Sequence, residues 1–201
     1  MSMNKYAQKE QQILEALLQI AVGDIEISEI TVQDIATAAG IGKGTIYEYF
    51  NSKEEIFEKA IFYMGDKLIN KVYHAVENAD TFDKKINTLE DELISVGEDT
   101  LNIHKTLMEA LGFPNKIKSP THTKKLPFNC FEHLDKMFED MLQQALHEKV
   151  INPTLSKEYV LFVLRTMTSS FFHLVHVPDF PLEDIPNIRD YTNRMIYKSL
   201  S

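Results

Sequence analysis

Between Gly40 and Lys53 the chain collects side chains suited to holding another molecule: Lys43, Thr45, Tyr47, Glu48, Tyr49 and Lys53, with Gly40, Gly42 and Gly44 among them. Two chemistries compete for this run. A phosphate loop has its lysine followed by serine or threonine and comes after a strand; here Gly44 follows Lys43, and Ile35-Ala36-Thr37-Ala38-Ala39 precedes. A nucleophile elbow is also missing, which sets aside an enzyme working in a helical cavity as the less favoured alternative. Hydrogen bonding to a nucleic acid from one helix face fits better. His173 and His176 lie three residues apart, with His133 and His147 elsewhere, but no cysteine cluster or glutamate-flanked pair accompanies them, so no metal site is expected. The single cysteine, Cys130, has no disulfide partner and reads as neither a redox switch nor a nucleophile, and no cofactor is expected.

Two short helices must position these groups. Thr31 is suited to cap the first, because its hydroxyl can accept from backbone N–H groups orphaned at a helix start. Val32, Ile35, Ala36 and Ala39 follow at helical spacing, and Gly40 falls where a left-handed residue would end the helix. The second helix starts near Gly42. Ile46 and Phe50, four apart, point inward and leave Lys43, Thr45, Tyr47, Glu48 and Tyr49 on or beside the outer face. The arrangement is a helix-turn-helix whose second helix is shaped for a major groove.

The segment from about Gln12 to Ala60 resembles the DNA-binding motif of the TetR family of bacterial transcriptional repressors. Thr31-Val32, Asp34-Ile35-Ala36, Ala39-Gly40, Lys43-Gly44-Thr45, Tyr47, Tyr49-Phe50, Ser52-Lys53-Glu54 and Ile56-Phe57 stand where the family pattern places such residues. The resemblance, with the outward direction of these side chains, implies DNA contacts at Thr31, Gln33, Lys43, Gly44, Thr45, Tyr47, Tyr49 and Lys53. Lys43 and Lys53 suit phosphate or guanine, Gln33 suits adenine, and Gly44 lets backbone approach backbone. Gly42 departs from the hydroxyl cap common in the family, and Glu48 sets an anion near phosphates unless it accepts from cytosine N4.

With 201 residues, 44% hydrophobic and 25% charged, the chain has the composition of an ordinary globular protein. No apolar run approaches the roughly 20 residues of a membrane helix, and the polar start is unlike a secretory signal, so a cytoplasmic protein without a membrane partner is expected. Seven glycines and seven prolines are few for a turn-rich β protein, so the fold class is all-α. The net charge of −9 is unusual for a nucleic-acid binder. Residues 1–53 carry four lysines, seven acids and no arginine, a formal charge of −3. Phosphate binding must then lean on a few lysines, hydroxyls and backbone N–H groups, and weak non-specific binding is expected.

The chain divides at the next helix into a three-helix DNA-binding domain, residues 1–53, and a larger helical domain, residues 54–201. Lys5 to Val22 supplies the first helix of the bundle. Ser52 caps a helix from Lys53 to about Asn78, with Glu55 completing a capping box. Apolar residues recur at helical steps over 82–111 and 126–149, with a lysine- and proline-rich loop, 112–127, between. Tyr159 to Val177 is apolar nearly all round and demands cover on every side. A second subunit is the expected cover; the resemblance agrees, since family members dimerise through their last two helices. Phe162, Phe171, Leu174, Ile188, Tyr191 and Met195 are the candidate interface residues. Arg165 lies mid-way along this helix, and a buried cation there needs a partner, for which Asp135 or Glu139 is available. The sharper alternative places Arg165 with His104, Met108, Phe131, Ser169 and Phe172 around an effector. The resemblance implies a homodimeric repressor that a small molecule releases from a pseudo-palindromic double-stranded DNA operator. The alternative is a helical DNA-binding protein without ligand control.

Overall fold

The computed structural model describes residues 5–22, 27–97, 100–103, 105, 107, 129–177 and 179–201. Among them every regular element is helical. Contacts divide the chain into two units: unit 1 takes residues up to Lys67 with 97–128, and unit 2 takes 68–96 with 129–201. The division falls inside the long helix that starts at Lys53, where the sequence reading places its boundary at that helix's first residue. No described helix is long and apolar enough to cross a membrane.

Unit 1 is built from α1 (Lys5–Ala21), α2 (Val32–Ala38), α3 (Lys43–Ile46) and the first part of α4 (Lys53–Glu77). α1 packs on α2, and α2 on α3. Ile13, Leu17, Ile30, Ile35, Ala36, Ile46, Phe50 and Ile56 are buried in one cluster, which joins the four elements through their apolar stripes. Gln12 adds a polar tie, its amide donating to Ala39 O at 2.7 Å.

α4 starts on Ser52, whose Oγ accepts from Glu55 N at 3.2 Å. The return arm differs from the expected capping box. Glu55 Oε2 accepts from Asn51 N and Nδ2, both at 2.8 Å, one residue before the cap. The same acidic side chain therefore closes the turn as well as the helix start, and these bonds help hold its carboxyl below the ordinary range against the opposing effect of burial.

Unit 2 comprises the rest of α4, α5 (Phe82–Ile94), α6 (Asn129–His147), α7 (Lys157–Val175) and α8 (Ile185–Leu200), the last preceded by a 3-10 turn, Leu182–Asp184. α7 contacts α5, α6 and α8. The apolar period expected over 82–111 does not form one continuous helix. Ser95 caps α5, its hydroxyl donating to Glu92 O at 2.7 Å, and Val96 and Gly97 are non-helical. Ile103 and Leu107 then belong to the core of unit 1, so one periodic stretch serves two cores.

Candidate nucleic-acid interface

The helix-turn-helix forms as its local chemistry dictates. Thr31 Oγ1 accepts from Asp34 N at 3.2 Å, and Asp34 Oδ2 accepts from Thr31 N at 2.8 Å, a complete capping box. Thr31 Oγ1 also donates to Asp34 Oδ2 at 2.6 Å; this bond, ahead of the backbone one, holds the Asp34 carboxyl below its ordinary range. Both donors of Thr31 are thus engaged within the motif. At the other end, Gly40 has φ +64°, Gly40 N donates to Thr37 O and Ile41 N to Ala36 O, the bond pair of a Schellman stop. Gly40 to Thr45 is therefore a turn between helices and the start of the second, with no strand before it.

α3 is a single turn. Its cap, Gly42, offers no side-chain bond, and Tyr47 N and Glu48 N close it on Gly44 O and Thr45 O. A one-turn helix is unstable by itself because nucleation outweighs so few bonds. Ile46 and Phe50, at 0% and 1% exposure, hold it from beneath. Above them Lys43, Gly44, Tyr47 and Glu48 are exposed, and Thr45 and Tyr49 are half-buried. Lys43 and Tyr47 have no side-chain partner among the described residues. A Cβ at Gly44 would meet nothing within 4 Å, so the backbone there is open to a close approach from outside. On α2, Gln33 is exposed and lies against Thr37. Lys53 Nζ donates to Ser28 O at 2.8 Å and stands over the Phe57 ring, which leaves two of its hydrogens for other acceptors.

Residues 27–60 match the family model described as bacterial regulatory proteins, tetR family. Residues 27–60 therefore carry the DNA-binding motif of the TetR family. The chain is a DNA-binding transcriptional regulator with an N-terminal helix-turn-helix and a helical remainder. The nucleoid occlusion factor SlmA of Aliivibrio fischeri is 22% identical over 183 residues, 90% of each chain. A TetR-family regulator from Mesorhizobium loti superposes with a TM-score of 0.67 at 14% identity, covering 98% of this chain and 97% of that one. A TetR-family protein from Vibrio parahaemolyticus gives 0.59 at 19% identity, covering 96% and 98%.

Three of the six candidate effector residues, Arg165, Ser169 and Phe172, are placed by the structure, on one helix. His104 and Met108 lie outside the described residues, as does the side chain of Phe131 and the loop 112–127. Arg165 and Ser169 are exposed and Phe172 is half-buried. Arg165 corrects the expectation of a buried cation: its side chain is 45% exposed, bonded through Nη2 to Asp135 Oδ1 at 2.6 Å and set over the Phe138 ring. Glu139, the other candidate acid, pairs with Lys157 at 2.6 Å. His176 is held between two carbonyls, Nδ1 to Phe172 O at 2.9 Å and Nε2 to Val96 O at 3.2 Å. A crevice of about 10 Å³ lies elsewhere in unit 2, between α5, α6, α7 and α8. Glu90, Thr168 and Thr192 border it with a mainly apolar wall that includes Met141, Phe171 and Ile196. The sequence carried a signal for Glu90: it falls four residues after Ile86 and three before Leu93, on the apolar face of α5.

α7 is also less enclosed than its composition suggests. Phe162 is 65% exposed and Leu174 40%; on α8, Tyr191 and Met195 are 56% and 53% exposed, and Ile188 is half-buried. Phe171 does not share this outer face. At 1% exposure it belongs to the interior of its own unit.

Proposed function

We propose that the chain is an operator-binding repressor that acts as a homodimer and is released by a small molecule held in its helical remainder. The observation that carries the reading is the division of labour in α3, with Ile46 and Phe50 buried below and Lys43, Gly44 and Tyr47 free above. Thr31, Gln33, Thr45, Tyr49 and Lys53 complete the proposed DNA surface, with Lys53 reaching phosphate through the hydrogens Ser28 does not take. Phe162, Leu174, Tyr191 and Met195 form apolar outer surface on α7 and α8 that a second copy would cover. A twofold axis there presents two reading helices to a pseudo-palindromic site.

Release requires that the small molecule bind the DNA-incompetent arrangement more tightly, and that preference limits the response. α4 contributes residues to both units and is the proposed carrier of the change. A second reading, a DNA-binding protein without ligand control, holds if the crevice of unit 2 stays water-sized and its wall does not repack. The similarity to a nucleoid occlusion factor is compatible with it.

The deciding experiment is a titration of DNA upstream of the chain's own gene with wild type and a Lys43→Ala, Tyr47→Ala double variant, repeated with small molecules. Specific binding by wild type alone supports the DNA surface, and loss of the complex with a compound supports release. Equal binding by both proteins sinks the contact assignment.

A further inference from the structure

α5 turns two charged side chains into unit 2, Lys85 at 6% exposure and Glu90 at 3%. Lys85 is accounted for. Its Nζ donates to Val76 O at 2.9 Å and Glu77 O at 3.2 Å, carbonyls in the last turn of α4.

Glu90 is not accounted for in this way. Neither of its carboxylate oxygens accepts a well-formed hydrogen bond among the described residues; the Asn193 side chain is its nearest donor besides Arg189. The nearest cation is Arg189, whose Nε stands 3.5 Å from Oε2 while its Nη2 donates to Asp91 Oδ1 at 2.5 Å. Two carboxylates thus share one guanidinium and leave a net negative charge. Asn193, close enough that its amide favours the charged form of Glu90, also has a buried oxygen without a donor. Leaving buried acceptors unpaired costs stability. Glu90 itself borders a crevice that has room for one water-sized group, with the Thr168 and Thr192 hydroxyls also on its wall.

We propose that this crevice binds a primary ammonium group carried on a short apolar body, with Glu90 as its anchor. The proposal rests on the reading of unit 2 as the sensing half. An ammonium brings three donors and no acceptor, suited to Glu90 Oε1 and Oε2 and to a threonine hydroxyl on the crevice wall, and its charge balances the second carboxylate. Its nitrogen is of water's size. The existing space takes only the nitrogen, so the methylenes must displace part of the wall, which the unbranched Met141 side chain permits by repacking beside Leu93 and Phe171. An alcohol brings one donor and no charge, a carboxylate is repelled, and a quaternary ammonium has charge but no N–H.

The test is thermal unfolding of the full chain near pH 8 with n-butylamine hydrochloride, against n-butanol, sodium butyrate and tetramethylammonium chloride at matched ionic strength. Butylamine at ten times its Kd is expected to raise Tm by about 3–6 °C, and the other three to leave it unchanged. Glu90→Gln keeps the shape and must abolish the rise. Arg189→Gln, which removes the competing cation and keeps Glu90, must tighten butylamine binding several-fold. No rise in wild type, a rise shared by butanol, or an undiminished rise in Glu90→Gln overturns the proposal and gives the space to a trapped water.

These measurements use no DNA. Butylamine that binds through Glu90 but leaves the operator complex intact upholds the site and removes its part in release. A different compound that releases the operator while butylamine fails to bind removes the site and leaves release standing.

Discussion

Glu90 makes stability fall as pH rises through a range in which ordinary carboxylates no longer titrate. Burial pushes its pKa up to about 7 from an ordinary 4.5, with Arg189 and then Asn193 opposing the shift. Below the lower value the group is protonated in both folded and unfolded chains and costs nothing. Between the two the unfolded chain ionises first, so folding must take up a proton and stability declines; above the upper value the loss is complete. At 1.36 kcal/mol per pH unit the full span is worth about 3 kcal/mol, most of which falls between about pH 5 and pH 8. Carboxyls such as Glu15 and Glu55 are shifted down instead, so their contributions run the opposite way and lie below the ordinary carboxylate range. Subtracting wild type from Glu90→Gln removes them. Urea unfolding at fixed protein concentration should find the glutamine variant gaining about 2–3 kcal/mol over wild type from about pH 5 to about pH 8. A difference that stays constant within about 0.5 kcal/mol would refute the reasoning, since it would mean that the carboxylate is hydrated or fully paired.

Three further outcomes follow from the geometry. Gly40→Ala should cost about 1–2 kcal/mol in urea unfolding, all of it backbone strain, because the new Cβ meets no atom within 4 Å; an unchanged midpoint would contradict the left-handed turn. Operator binding should show a log–log salt slope near −4, since Lys43 and Lys53 of two protomers neutralise about four phosphates at roughly −0.9 each; a slope of about −8 or steeper rejects the sparse basic surface. Phe162→Glu should give a monomer by sedimentation with its helicity intact and its operator affinity reduced at least tenfold, whereas a dimer that survives moves the interface off this face.

Local chemistry was the legible part of the chain. The Thr31 cap, the Gly40 stop and the inward pair Ile46 and Phe50 are each set by residues within a few positions, and the sequence contains all of them. Long-range choices were less visible. Periodicity over 82–111 cannot tell that Ser95 ends one helix or that Ile103 and Leu107 serve a different core. Composition made α7 look buried all round, yet composition does not fix its orientation. That orientation puts Arg165 in water and Phe171 inside, the reverse of what the pocket and interface assignments required. Glu90 was visible as a charge on an apolar face but carried no motif to mark it.

The one-turn α3 has a consequence for how such a protein can diverge. The side chains that hold it, Ile46 and Phe50, are separate from Lys43, Gly44, Tyr47 and Glu48, which are exposed and lie outside the buried core. Substitution at exposed positions away from packing usually changes stability by no more than about 0.5 kcal/mol. A duplicated gene can therefore explore new DNA sequences through a handful of outward codons while its inherited scaffold stays intact. The freedom ends at Tyr49, which is half-buried and joins both faces.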